Sequence, residues 1–303
     1  MVPMLRRTSI VLILLLLAFS SARGQTRDAP VRVNYGTEAT SFGELLMPSG
    51  GGPFPVAILI HGGCWLSTLS SLDDMRAIGT MLAKHGVASW NLEYRRVGHM
   101  GGGWPGTFTD LSDATDFVRE LARTHPLDLQ RVVLVGHSSG GYFAAWLAGR
   151  HNLPASSPLV GPSPVKIAGM VLLDAFLDPR VIDSRGVDGR LFCNQPVLSR
   201  LVGGAPESVP DQLRQVSPLA LLPFGTPQEY VVSSLRYPVT PARPLAAGRT
   251  TLSVLDYPAL ARAAGDTVTV QVVPDADHFD FLKPTANAWS AVEAALVRIF
   301  SSR

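Results

Sequence analysis

Short runs of apolar and β-branched residues recur along the chain, at 31–35, 44–47, 56–60, 88–94, 131–135, 170–173, 230–233 and 268–273. Runs such as 56–60 and 170–173 contain no polar residue, the pattern of strands buried on both faces. Stretches with helical spacing lie between them. Residues 73–85 carry Met75, Ile78, Met81 and Leu82 on one face, and Gly86 supplies a stop. Residues 110–124 present Leu111, Ala114, Phe117, Val118 and Leu121. Residues 139–150 are rich in alanine and aromatics, and 284–300 carry Trp289, Val292, Leu296, Ile299 and Phe300. Strands alternating with helices predict an α/β fold, with a mostly parallel eight-stranded sheet covered on both faces. Residues 179–228 break the alternation and are rich in Pro, Gly and Ser. They read as loops and short helices over one end of the sheet, either a lid-like insertion or a plain surface excursion.

The first 24 residues follow another rule. Arg6, Arg7 and Arg23 stand there without an acid, around the apolar run Ile10 to Phe19, and small residues follow at Ser20, Ser21, Ala22 and Gly24. A basic start, a short apolar middle and a small-residue exit predict a secretory signal peptide. The run is shorter than the roughly 20 residues of a membrane span. The expectation is a secreted or periplasmic protein whose mature part, residues 25–303, forms one domain without stable membrane insertion. Removing residues 1–24 turns the formal net charge from +2 to −1. With that near-neutral charge and no long basic run, a nucleic-acid partner is not expected, since phosphate binding needs a basic stripe. Cys64 and Cys193 are too few for a disulfide scaffold or a four-cysteine zinc site. In an exported chain they either join as one bridge or stay as two thiols.

Three segments carry candidate chemistry. The strand ending at Val135 runs into Gly136-His137-Ser138-Ser139-Gly140-Gly141, with a helical stretch directly after it. G-x-S-x-G between strand and helix makes a sharp turn that lifts the Ser138 hydroxyl above the sheet end. Glycines are needed where no Cβ fits, and the helix N-terminus favours a developing anion. The strand ending at Ile60 runs into His61-Gly62-Gly63-Cys64-Trp65, a loop whose backbone N–H groups can approach an oxyanion. Gly63, Cys64 and Ser139 are the candidate donors. Trp65 is a candidate acyl-pocket wall or a core residue, and Trp104, in the loop 101–106, borders the site or a surface turn. The last strand leads to Asp277-His278-Phe279, where His278 is placed to act as general base toward Ser138.

These motifs, with Asn91 to Arg96, Gly101 to Thr107 and Ala276 to Phe279, resemble the α/β-hydrolases related to kynurenine formamidase and small carboxylesterases. The similarity covers nearly all of 40–300. It implies serine hydrolysis of a small-molecule ester or aryl amide through an acyl-enzyme, with no cofactor and no metal. One departure stands out. The family carries its triad acid after the seventh strand, where this chain has Tyr237, and a phenol with a pKa near 10 cannot replace a carboxylate. Asp174, at the end of the sixth strand in Leu173-Asp174-Ala175-Phe176-Leu177-Asp178-Pro179, is the expected substitute, as in hydrolases that carry the acid there. Asp178 is the alternative acid. Asp256, on a helical stretch, and Asp277, beside the base, are poorer candidates. Two other outcomes stay open: a non-catalytic binding protein on a hydrolase scaffold, and a serine peptidase.

Overall fold

Eight strands form where the apolar runs predict them. They are β1 (Val31–Asn34), β2 (Phe42–Leu46), β3 (Phe54–Ile60), β4 (Ala88–Leu92), β5 (Leu127–His137), β6 (Gly169–Leu173), β7 (Gln228–Ser233) and β8 (Val268–Val273). The computed structural model describes residues 29–161, 163–183, 191, 193–234 and 256–301. The predicted signal peptide and Tyr237 lie outside the described residues. The strands join in the order β1-β2-β4-β3-β5-β6-β7-β8. β2 pairs antiparallel with β1 and β4, and every other neighbouring pair is parallel. Among the described residues, no helix is long and apolar enough to cross a membrane.

Side chains alternate between the faces of a strand, so each buried strand feeds two cores. Ile58, Trp90, Leu134, Leu172 and Tyr230 enter one, with Leu111 of α2 (Gly106–Asp116) and the residues of α4 (Ser139–Gly149). Leu59, Val135, Val171 and Val231 enter the other, with Ile78 of α1 (Arg76–Lys84) and Leu296 of α8 (Trp289–Ser301). All eleven residues of α4 are buried, which explains why its sequence shows no polar face.

Three helical segments differ from their predicted bounds. The stretch predicted over 110–124 starts earlier, at Gly106, and breaks at Phe117 into α2 and a short α3 (Val118–Leu121). The stretch predicted from 73 begins as a 3-10 turn at Leu72–Met75, capped by Ser71, before α1. The last helix starts at Trp289, five residues late, because the preceding segment turns to bring the Asn287 amide onto the Pro274 carbonyl, 3.1 Å away.

The described residues of the insertion pack onto the body of the fold. They contain α5 (Leu198–Val202) and α6 (Pro210–Val216), whose Leu201, Val202 and Val216 are buried in the main core. The α4 side chains Tyr142 and Trp146 donate to the carbonyls of Val216 and Gln215 at 2.7 and 2.9 Å. A last short helix, α7 (Asp256–Ala263), precedes β8. Because β3 and β5 to β8 run parallel, their carboxyl ends share one edge of the sheet, where Ser233 ends β7 and the segments leaving the other strands carry His61, Ser138, Asp174 and His278.

Candidate active site

Ser138 follows the last residue of β5 with φ 55° and ψ −123°, a conformation that non-glycine residues rarely adopt. Its N–H donates to the Leu173 carbonyl at 2.9 Å, and its own carbonyl accepts from Gly141 at 3.0 Å. Two glycines make this turn sterically feasible. A Cβ on Gly136 would lie 2.3 Å from the Gly140 oxygen, and one on Gly140 would lie 2.0 Å from the Ile60 oxygen. The elbow therefore presses against the end of β3, where the glycine-rich loop begins. Ser138 is 7% exposed.

That loop runs through three successive left-handed residues, Gly63, Cys64 and Trp65, with φ of 107°, 54° and 61°. It touches the elbow, since a Cβ on Gly62 would lie 3.0 Å from the Ser138 Cβ. Among the described residues, no acceptor is paired with the backbone N–H of Gly63, Cys64 or Ser139. The Ser139 side chain turns toward the loop, where its hydroxyl accepts from the Trp65 N–H at 3.4 Å. The elbow and the loop thereby hold each other.

A buried charge network, not foreseen from the sequence, supports the loop from below. Glu93, just after β4, meets His61 Nε2 at 3.2 Å and the Arg96 guanidinium at 2.8 Å. It also accepts from the Leu72 and Tyr94 N–H groups at 3.3 and 3.1 Å. Arg96 reaches on to the Leu66 and Ser70 carbonyls. Burial pushes the Glu93 carboxyl up, but the His61 hydrogen bond and the His61 and Arg96 charges more than offset it, so its pKa lies below the ordinary value. The Asn91 to Arg96 stretch was legible as a motif, but its partners lie in the loop 61–72, so the network appears only on folding.

His278 sits in the loop after β8 and is 4% exposed. Its Nδ1 lies 2.6 Å from Asp174 Oδ2. A carboxylate only accepts, so Nδ1 donates and Nε2 is left as an acceptor. The His278 carbonyl accepts from His137 Nε2 at 2.8 Å, and the two rings lie 4.6 Å apart. The residue before Ser138 thus positions the histidine loop. Asp174 is 1% exposed, with φ 48°. Its second oxygen is held from β7 by Ser233, whose N–H and hydroxyl lie 2.8 and 2.9 Å from Oδ1. Sequence reading missed Ser233, because a serine at a strand end carries no motif.

The alternative acid is engaged elsewhere. Asp178 caps the 3-10 turn Pro179–Val181 through the Arg180 N–H and pairs with the Arg180 guanidinium, at 2.9 Å to Nε. Asp277 accepts from the backbone N–H of His278, and Asp256 opens α7. Of these carboxylates, the one in contact with the His278 ring is Asp174.

Cys64 and Cys193 form a disulfide with Cα atoms 5.7 Å apart, joining the glycine-rich loop to the insertion across 129 positions of sequence. Closing so long a loop in the unfolded chain lowers its entropy, and bridges of this kind stabilise by about 2–5 kcal/mol. Cys193→Ser is therefore expected to lower the melting temperature by roughly 4–9 °C. Differential scanning fluorimetry with and without reductant checks it: reductant should shift the wild type and leave the variant unchanged.

Trp65 is 3% exposed and packs edge-on against Tyr142 in the core. Trp104 is half-buried, lies against Phe108, and sits where a Cβ on Gly203 of the insertion would touch it at 3.3 Å. Both tryptophans thus tie loops to the body of the fold. An apolar cleft opens behind the Asp174 turn, lined among others by Ala175, Leu177, Val181, Leu219 and Tyr257.

An eight-stranded sheet in this order, an elbow after β5 and a histidine after β8 define the α/β-hydrolase fold. The family model named BD-FAE matches residues 44–234, more than half of the chain, and the chain belongs to that family. Solved structures similar in fold include a truncated carbohydrate esterase from gut microbiota. It has TM-score 0.68 and 17% identity over 92% of this chain and 99% of that one. A bacterial heroin esterase has TM-score 0.66 and 20% identity over 92% and 86%. The esterase Est2 of Thermogutta terrifontis has TM-score 0.65 and 17% identity over 91% and 92%. No curated protein matches the chain in sequence.

Proposed function

We propose that this chain is an exported serine carboxylesterase that cleaves small carboxylic esters through an acyl-enzyme. The observation that carries the reading is the 2.6 Å contact of His278 Nδ1 with Asp174, with the His278 loop held by His137, the residue before the strained Ser138. His278 Nε2, the free acceptor, takes the Ser138 proton as the oxygen attacks the carbonyl carbon. The Asp174 carboxylate stabilises the imidazolium that results. Negative charge moves to the carbonyl oxygen, and the N–H groups of Gly63, Cys64 and Ser139 receive it without reorganisation. Collapse of the intermediate expels the alcohol, which takes its proton from His278. Water, activated by the same histidine, then frees the acid and restores Ser138. The esterase names of the structural neighbours support an ester rather than an amide as substrate. The predicted signal peptide and the Cys64–Cys193 bridge support an oxidising, exported setting.

The test is a p-nitrophenyl ester series from acetate to decanoate, run beside N-formylkynurenine, together with labelling by a fluorophosphonate. The expected result is labelling of the wild type, turnover fastest on a short acyl chain, and slower or absent formamide cleavage. Absence of both labelling and ester turnover would leave the fold as a binding scaffold and overturn the reading. Formamide cleavage faster than any ester would move the substrate to the aryl formamides.

A further inference from the structure

β7 ends at Ser233 and Ser234 follows directly, and each holds a different part of the site. Successive backbone N–H groups along an extended chain point toward opposite neighbouring strands. Ser233 faces the β6 turn, where its N–H donates to Asp174 Oδ1 at 2.8 Å and its hydroxyl lies 2.9 and 3.0 Å from Oδ1 and Oδ2. Ser234 faces the β8 turn, where its hydroxyl accepts from the Asp275 N–H at 2.9 Å, and its own N–H donates to the Val273 carbonyl. β7 lies between the strand that ends in Asp174 and the strand that leads to His278. β6 and β8 lie two strand spacings apart, roughly 10 Å, so the turns carrying Asp174 and His278 must converge over the end of β7 for the carboxylate and the imidazole to meet. Crossing there without donors would leave a buried anion half satisfied, which is costly.

We propose that Ser233 is a positioning residue that makes the relocated acid workable: it binds Oδ1 and steers Oδ2 onto His278 Nδ1. This inference rests on the esterase reading above. Three observations support it. Ser233 is fully buried, so its hydroxyl has no competition from solvent. Among the described residues, the donors to the Asp174 carboxylate are Ser233 and His278. Asp174 sits in a left-handed turn, where its backbone alone would not hold the side chain against alternatives. An acid at 233 would repel the Asp174 carboxylate. A serine donates twice, once from the backbone and once from the side chain.

The experiment is a double-mutant cycle read as kcat and KM on p-nitrophenyl acetate, with melting temperatures measured in parallel. Ser233→Ala is expected to lower kcat by about 10–100-fold, the usual value of a hydrogen bond to a charged group, with KM within about twofold. In the Asp174→Asn background the same substitution should change kcat by less than about twofold, because the anion it serves is gone. Ser233→Thr, which keeps the hydroxyl, should recover most of the loss. Should the alanine variant melt below assay temperature, Ser233→Cys, of near-native size and a much weaker donor, replaces it with the same expectation. A kcat within twofold of wild type, or an equal loss in both backgrounds, would overturn the positioning role. If Asp174→Asn alone leaves turnover unchanged, the acid assignment fails, which is a different result from failure of the Ser233 step.

Discussion

Asp174→Asn is expected to lower kcat on p-nitrophenyl acetate by about 10⁴-fold, with little change in KM or melting temperature. The reason lies in which oxygen is held where. The Ser233 N–H donates to Oδ1, so an asparagine at 174 must keep its carbonyl oxygen at that position. Its NH₂ group then faces His278 Nδ1 in place of Oδ2, which lies 2.6 Å away in the wild type. A donor there turns Nδ1 into the acceptor and puts the ring proton on Nε2, the wrong tautomer for taking a proton from Ser138. The fold tolerates the change because the amide matches the carboxylate in shape and satisfies both neighbours. Asp178→Asn is the control. It should leave kcat within about threefold and weaken only the cap of the turn that follows. Turnover of Asp174→Asn within tenfold of wild type would mean that the working acid lies elsewhere, outside the β6 turn.

Ser138→Ala is expected to have the larger effect, lowering kcat by about 10⁵–10⁶-fold and abolishing fluorophosphonate labelling. On the proposed mechanism, no other group among the described residues is placed to take over from Ser138. Cys64, the nearest alternative by chemistry, is bonded to Cys193. Ser139 has its hydroxyl on the Trp65 N–H and its backbone in the first turn of α4. The residual rate should be that of the oxyanion donors and binding alone. Stability should change little, because the substitution removes one hydroxyl and leaves the backbone of the turn as it is. The combination of Ser138→Ala with Asp174→Asn should be no slower than Ser138→Ala alone, since the acid and base serve one nucleophile. A variant that still labels would place the reactive serine elsewhere.

How far the site could be read ahead of the structure depended on how local each part is. The elbow is a local object. Gly136 and Gly140 are required by contacts within a few residues and with the strand beside them, so G-x-S-x-G between strand and helix announces it. His278 was legible for a similar reason: it follows the last strand and precedes the last helix in order. The Glu93 network and the Ser233 contact were not legible. Glu93 finds its partners in the loop after β3, and Ser233 finds its partner at the end of a different strand. Neither residue belongs to a motif whose spacing carries the pairing.

The sequence by itself determined the strands, the helix order, the strained serine and the histidine, because apolar periodicity and glycine placement act over short stretches of chain. It also narrowed the acid to a pair of aspartates four residues apart. Only the tertiary structure brought one of them, Asp174, onto the His278 ring and closed the Cys64–Cys193 bridge. Asp174 and His278 are 104 residues apart, and the cysteines 129. Whether such groups meet depends on strand order and register, here β6-β7-β8 with Leu173 opposite Val231 and Ser233 opposite Val273. That register brings one carboxylate over the end of β7, while Asp178 turns away to cap the segment after it.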